Sequence, residues 1–416
     1  MVRSLILSLE RLSPLQMALL LALVAEALFL VRLGDPNQLM FDEVHYVPAA
    51  RDIFGLVRRA NEEHPLLAKW LIGLSMALFG ETPAGWRALS TVAGTATMLA
   101  IYAIGWRLSG SVRTAATAAL LALLNQMLFV QARIAMLDVY AGAFLLVGLA
   151  LIVFAWDGPR TGRKLAGAGI AFGLAVGCKW STLPFLAATA LALLLLRWRN
   201  RGAWPGVSLG GAALRLGGTS LLAYAATFLP AFFYAQDPLP PAELIAYQAD
   251  IFNRQIQPLP SHTYQSVWWQ WPLILRPIWY LYERVDGIQR GVLLVGNPAI
   301  MWGGLVALAL LIWAGLRDRE PRLLVPVALW TLAFAVWIVI PKKIGFYYYY
   351  YLPGLFLPLA LALAFDHENR VRDGWVPALF LTGSFGLFVY FYPIISAAAL
   401  PNDQAFLNWM WLPGWP

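Results

Sequence analysis

Long apolar runs alternate with short polar ones along almost the whole chain. Runs near 14–33, 86–107, 114–131, 134–156, 165–179, 181–197, 209–234, 294–315, 322–340, 345–365 and 375–396 come close to the roughly 20 residues with which a helix crosses hydrocarbon. The segment 64–80, HPLLAKWLIGLSMALFG, is nearly as apolar, yet it opens on His-Pro and carries Lys69. The basic residues decide how it is read. With 64–80 lying in the interface, Arg107/Arg113, Arg160/Arg163/Lys164, Arg197/Arg199/Arg201, Arg317/Arg319/Arg322 and Arg370/Arg372 all share the side of the basic N-terminus, as the positive-inside rule requires. A spanning 64–80 would throw those clusters to the other face. The pattern thus predicts an all-α polytopic membrane protein with about eleven spans, the N-terminus cytoplasmic and the C-terminus extracytoplasmic. Interfacial helices are expected in a first outer loop, 34–85.

Composition agrees with this solvent. Hydrophobic residues make up 60% of the chain and charged residues 12%, which leaves a water-soluble fold no means of covering its apolar surface. The net charge of +8 comes from basic residues scattered between apolar runs, so it implies membrane lipids as neighbours and no nucleic acid. The single cysteine, Cys178, sits in an apolar run and reads as a buried thiol. No repeat or soluble module interrupts the plan, and 235–293 reads as a long outer loop of one membrane domain.

Polar residues that are costly at a bilayer face then stand out. Directly after the first run comes Phe41-Asp42-Glu43-Val44-His45-Tyr46. The topology gathers onto the same outer face Arg133 and Asp138, the Lys179-Trp180 pair, the 235–293 loop and Lys342/Lys343. Carboxylates, cations and aromatics on one face describe a site open to the outside and to lipid.

Five blocks occur in order: FDEVHY, HPLLAKWLIGL at 64–74, QARIAMLDVY at 131–140, GCKWSTLPF at 177–185, and SHTYQSVWWQWPLILRPIWY at 261–280 followed by GNPAIMW at 296–302. In this order they resemble the protein O-mannosyltransferases, glycosyltransferase family 39, in their bacterial form. The resemblance implies a GT-C fold, a polyprenyl-phosphate-mannose donor, a serine or threonine hydroxyl on exported protein as acceptor, and a place in the bacterial plasma membrane with the site facing outward. It departs from the eukaryotic members because 235–293 has no room for their inserted β-trefoil. It also implies chemistry without a metal, and the Trp-Trp-Asp signature of the asparagine-directed relatives is replaced by Trp268-Trp269-Gln270.

The residues make sense of such a transfer by themselves. A hydroxyl nucleophile must lose its proton to a carboxylate while positive charge develops at the sugar carbon. Asp42 is the candidate base in an inverting single displacement, and Glu43 the neighbour that orients the acceptor or shares the proton. A phosphate leaving group calls for cations: Arg133 and Lys179 first, then Arg276, Lys342 and Lys343. His45, His64, Asp138, Trp180, His262 and Tyr264 are candidates for contact with sugar or acceptor. Bland readings stand beside these: a helix cap for Asp42 and Glu43, a structural Arg133–Asp138 pair, a snorkelling Lys179, aromatic-belt tryptophans, and hydrogen-bonded structural histidines. In the run Tyr347–Tyr351 at most two rings of five are expected to face a site. A divalent ion among Asp42, Glu43, His45, His64 and Asp138 is the weaker reading, since no metal-type spacing is present and no cofactor is expected. Two other functions remain open at this stage: a GT-C transferase acting on lipid A, a glycolipid or a polysaccharide, and a transporter or flippase, which would show broken helices and an internal repeat.

Overall fold

The computed structural model describes residues 12–258, 260–340, 344–369 and 375–416, and it is mostly helical. Helices fill the apolar runs, and their ends follow capping chemistry. Helix α1 (Pro14–Leu30) starts at a Ser13–Gln16 capping box with Pro14 in its first turn. Helices α2 (Glu43–Phe54) and α3 (Leu67–Phe79) lie in the 34–85 segment that follows it. Helix α4 (Pro83–Ser109) is capped by Thr82 and closed by left-handed Gly110 at φ 73°. Helices α5 (Val112–Leu124) and α6 (Gln126–Gln131) are separated by the extended Asn125, which caps α6. Then come α7 (Leu137–Ala155), α8 (Thr161–Cys178), α9 (Thr182–Arg199) and α10 (Leu209–Phe233), the last with a π-helical stretch at Leu214–Gly218. The 235–293 segment holds the amphipathic α11 (Leu244–Gln255). The chain closes with α12 (Pro298–Arg317), α13 (Leu324–Val339), α14 (Tyr351–Asn369) and α15 (Val376–Ile395).

Among the described residues, eight helices are long and apolar enough to cross a membrane. The expected spans are more numerous because α1 has 17 residues, α5 stops after 13 at Asn125, and α8 is diluted by Arg163, Lys164 and its glycines. Burial separates inner from outer helices: the α14 span is 89% buried, against 22% for those of α9 and α10, whose bare apolar flanks are those of lipid-facing helices.

The α2–α3 pair positions the site. Gly73 allows it, since a Cβ there would lie 2.3 Å from Phe54 Cβ and 2.8 Å from the Ala50 carbonyl oxygen. The segment after α11 contains an element that the all-helical expectation lacks, an antiparallel hairpin of β1 (Ile278–Val285) and β2 (Ile288–Leu294). Its turn is Asp286-Gly287, both at positive φ (50° and 76°), the backbone that matches strand twist in a two-residue turn. The signal was an Asp-Gly pair between β-branched and aromatic residues, hidden by the apolar composition around it.

Candidate active site

Two arginines hold the loop that carries Asp42. Arg133, 5% exposed, donates to the carbonyls of Phe29 and Val31 at 2.6 Å each and of Arg32 at 3.2 Å, which satisfies acceptors that the end of α1 leaves open. Arg87, fully buried, donates to the carbonyls of Leu33, Pro36 and Gln38 at 3.2, 3.0 and 2.7 Å. Its Nε and Nη2 also meet both oxygens of Glu43 at 2.8 Å in a bidentate pair. Glu43, equally buried, accepts in addition from the backbone N–H of Met40 at 3.1 Å and of Ala135 at 2.9 Å.

These contacts revise two expectations. Glu43 has both oxygens engaged inside the protein, so the geometry makes it an anchor and leaves it nothing to offer an acceptor proton. Arg133 spends its guanidinium on main-chain carbonyls, so it shapes the loop where phosphate binding was expected, and it does not pair with Asp138. Arg87 escaped the sequence reading. The signal was present as an arginine one turn into a membrane-length helix, indistinguishable there from a snorkelling interface cation.

Asp138 instead pairs with Lys179. The lysine caps the end of α8 in extended backbone and aims Nζ at both carboxylate oxygens, at 2.9 and 2.7 Å, while Asp138 sits in the first turn of α7, where the helix dipole favours an anion. The ammonium also lies 5.0 and 5.9 Å from the ring centres of Tyr348 and Tyr349. Asp42 stands at the start of α2 and accepts from Tyr46 Oη at 3.3 Å. Burial pushes its carboxyl above the ordinary carboxylate range; the Lys179 charge opposes this and the Asp138 charge adds to it, so the two carboxylates and the ammonium form one electrostatic unit.

This polar floor adjoins two spaces that share Ser181, Trp337 and Tyr349 in their walls. A small cavity of about 30 Å³ lies beside Asp138 between Tyr348, Tyr351 and Phe185. A cleft of about 350 Å³ passes Lys179, Trp180 and His64 and is walled by Leu183, Phe252, Ile256, Ile340 and Ile344. Trp337 and Tyr349, stacked at 4.3 Å, border both. Tyr348, Tyr349 and Tyr351 all line the smaller cavity, one more ring than expected, because the run passes from a 3-10 turn at Tyr347–Tyr350 into α14 and never forms one helical face. Trp180 is held by a relay in which its Nε1 donates to Tyr224 Oη at 2.8 Å and that hydroxyl donates to Gln248 Oε1 at 2.5 Å. Lys69, buried in α3, donates to the carbonyls of Ala60 (3.2 Å), Asn61 (2.5 Å) and His64 (2.8 Å), and so fixes the loop that forms one cleft wall.

Other candidates lie elsewhere. Arg276 ties the carbonyls of Gly414 and Thr263 together at 2.9 and 2.8 Å, with Tyr264 beneath its guanidinium. His262 accepts from the Tyr264 N–H through Nδ1 at 3.1 Å, with its ring against Phe346. His45 is exposed on the outer side of α2. Lys342 and Lys343 lie outside the described residues. A buried anionic floor with one ammonium, beside a long apolar wall, fits an amphiphile with a polar head and a hydrocarbon chain.

Comparison with known proteins agrees with this class, a polytopic membrane enzyme of the GT-C fold. A family model for dolichyl-phosphate-mannose-protein mannosyltransferases matches residues 63–222, and one for the C-terminal four-transmembrane region of protein-O-mannosyltransferases matches 242–415. Polyprenol-phosphate-mannose–protein mannosyltransferases of Mycolicibacterium smegmatis and Mycobacterium tuberculosis are 26% and 27% identical, over 96% and 95% of this chain and 92% and 90% of theirs. The chain belongs to the protein O-mannosyltransferase family. Its fold superposes on the donor-bound Pmt1-Pmt2 complex of S. cerevisiae with a TM-score of 0.81 at 15% identity, covering 97% of this chain and 93% of that one.

Proposed function

We propose that this protein transfers mannose from a polyprenyl-phosphate-mannose lipid to serine or threonine hydroxyls of exported polypeptides, at the outer face of the bacterial plasma membrane. The observation that carries the reading is the Asp42, Lys179 and Asp138 cluster at the foot of an apolar-walled cleft. The prenyl chain lies along Leu183, Ile340 and Ile344, and Lys179, released in part from Asp138, meets the phosphate. Asp42 takes the hydroxyl proton as oxygen attacks the anomeric carbon. The bond to phosphate breaks on the opposite face with no need of a general acid, because a phosphodiester oxygen already leaves as a stable anion. The relatives' names supply the donor and the protein acceptor.

The test is to incubate membranes holding the protein with labelled polyprenyl-phosphate-mannose. Label is expected in protein, released by β-elimination, and unchanged by a metal chelator. Label found only in lipid would replace the acceptor, and loss of turnover with chelator would put a divalent ion into the mechanism.

Acid–base behaviour follows from the burial of Asp42. The base acts when deprotonated, so kcat/KM is present above its pKa and is lost as pH falls through it. Because burial raises that pKa, the acid limb is expected above the ~3.9 of a free aspartate. An acid limb at or below the free value, measured on donor-saturated enzyme, would show that Asp42 is not the titrating base.

A further inference from the structure

Helix α2 joins two packing clusters. Tyr46, Val47 and Ala50 belong to the main core, whereas Ala49 and Ile53 pack with Leu66, Phe228, Tyr247 and Ile251 in a smaller cluster that brings together α2, the end of α10 and α11. Trp180 and Tyr224 pack against both. A satellite cluster of this size buries little apolar surface, so its place in the molecule depends on the polar contacts at its edge.

Those contacts converge on Arg59. The N–H groups of Ala235 and Gln236 donate to the carbonyls of Leu56 and Val57 at 2.9 and 2.8 Å, which lays the chain after α10 beside the end of α2. Two residues further on, Arg59 Nε donates to Asp237 Oδ2 at 2.8 Å and Nη2 donates to Oδ1, a bidentate fork that fixes direction as well as distance. The same guanidinium lies over the Tyr247 ring of α11, 5.6 Å from its centre, and reaches Glu62 at 3.9 Å. Glu62 in turn meets Arg254, near the other end of α11, at 3.3 Å. Arg59 therefore ties the 56–64 segment to α11 directly at Tyr247 and through Glu62 at Arg254. The Asp237 side chain is 64% exposed, so the pair adds little to overall stability and acts mainly on position.

Both tied segments border the Lys179 cleft. The 56–64 segment gives it His64, and the end of α11 gives it Phe252, Gln255 and Ile256. Lys69 already fixes 60–64 from the side of α3, so what Arg59 adds is the placing of α11. We propose that Arg59 is a positioning residue for the lipid donor: it docks α11 on the α2–α3 pair and so sets the cleft wall against which the prenyl-phosphate lipid lies. The proposal rests on the mannosyl transfer proposed above and adds what shapes its lipid site. Asp42 is held through Arg87 and Arg133, and Lys179 by Asp138, so chemistry on bound donor does not depend on Arg59.

The test uses full-length protein in membranes, labelled polyprenyl-phosphate-mannose and a threonine peptide. Arg59→Ala is expected to raise the donor KM by about three- to tenfold, while kcat at saturating donor and the peptide KM stay within about twofold. Arg59→Lys keeps the charge without the fork and should fall between the two. Hydrogen exchange of the α11 amides is expected to quicken in Arg59→Ala while that of α4 stays as in the wild type. A fall in kcat with the donor KM unchanged, or no change in α11 exchange, would overturn the proposal. Should Arg59→Ala fail to fold, Asp237→Asn removes the charge from the exposed partner and suits the left-handed backbone there, at φ 53°. It is expected to raise the donor KM in the same direction, and an unchanged value counts against Arg59. If the wild-type protein transfers no mannose, the transferase reading falls and takes the donor assignment with it; if it does and these variants leave the donor KM unchanged, only the role of Arg59 falls.

Discussion

Asp42→Asn is expected to lower turnover by about 10²- to 10⁴-fold, the range over which a positioned general base acts, while donor affinity persists. The substitution keeps the shape of the side chain and an oxygen for Tyr46, which donates at 3.3 Å, but it removes the basic carboxylate that takes the hydroxyl proton and the charge that faces the developing cation. Donor affinity persists because the Lys179–Asp138 pair, with contacts of 2.9 and 2.7 Å, is untouched. Removing an anion beside Lys179 leaves the ammonium, if anything, more open to phosphate. Turnover and donor binding measured on the same membranes separate the two effects. Near-normal turnover removes Asp42 as the base, and lost donor binding moves its role to the ground state.

Arg87→Met is the second large effect, expected on stability as well as on rate. It leaves Glu43 charged and unpaired in a fully buried place and strips donors from the carbonyls of Leu33, Pro36 and Gln38. Breaking a buried pair from one side costs about 3–5 kcal/mol, seen as an early unfolding transition in detergent. Turnover should fall too, because the loop that loses its donors carries Asp42. Arg87→Lys keeps the charge, yet a single ammonium cannot serve five oxygens fixed in a fork geometry, so only partial recovery is expected. Pairing Arg87→Met with Glu43→Gln removes the stranded charge. Stability should then return further than activity, which marks the pair as positioning residues. An unfolding transition and a turnover both unchanged in Arg87→Met would refute this role.

Much of this was legible in the chain. Apolar runs located the long helices but not their ends or their number, as the breaks at Asn125 and at Tyr347–Tyr350 show; they locate helices at all because a membrane leaves the backbone few other ways to satisfy itself. The blocks around Asp42, Asp138, Lys179 and Trp180 pointed to one face, because charges are rare enough in apolar sequence for each to carry information. Division of labour among those charges was less legible. Arg133 and Arg87 differ from a phosphate ligand only in what their donors meet, and those partners, the carbonyls at 29–38, lie far away along the chain. The β1–β2 hairpin hid because its residues are as apolar as a span, with only Asp286-Gly287 to betray it.

By itself, then, the sequence determined the solvent, the helical class, the family and the identity of the charged residues around FDEVHY. These depend on composition, local periodicity and short motifs. Only the tertiary structure decided that Asp42 stays toward Lys179 and Asp138 while Glu43, its neighbour, turns inward to Arg87. It likewise decided that Lys179 chooses Asp138, and that α2 joins the main core to a second, smaller cluster. Adjacent residues on a helix start point about 100° apart, and what each then meets is set by distant segments that no local pattern encodes.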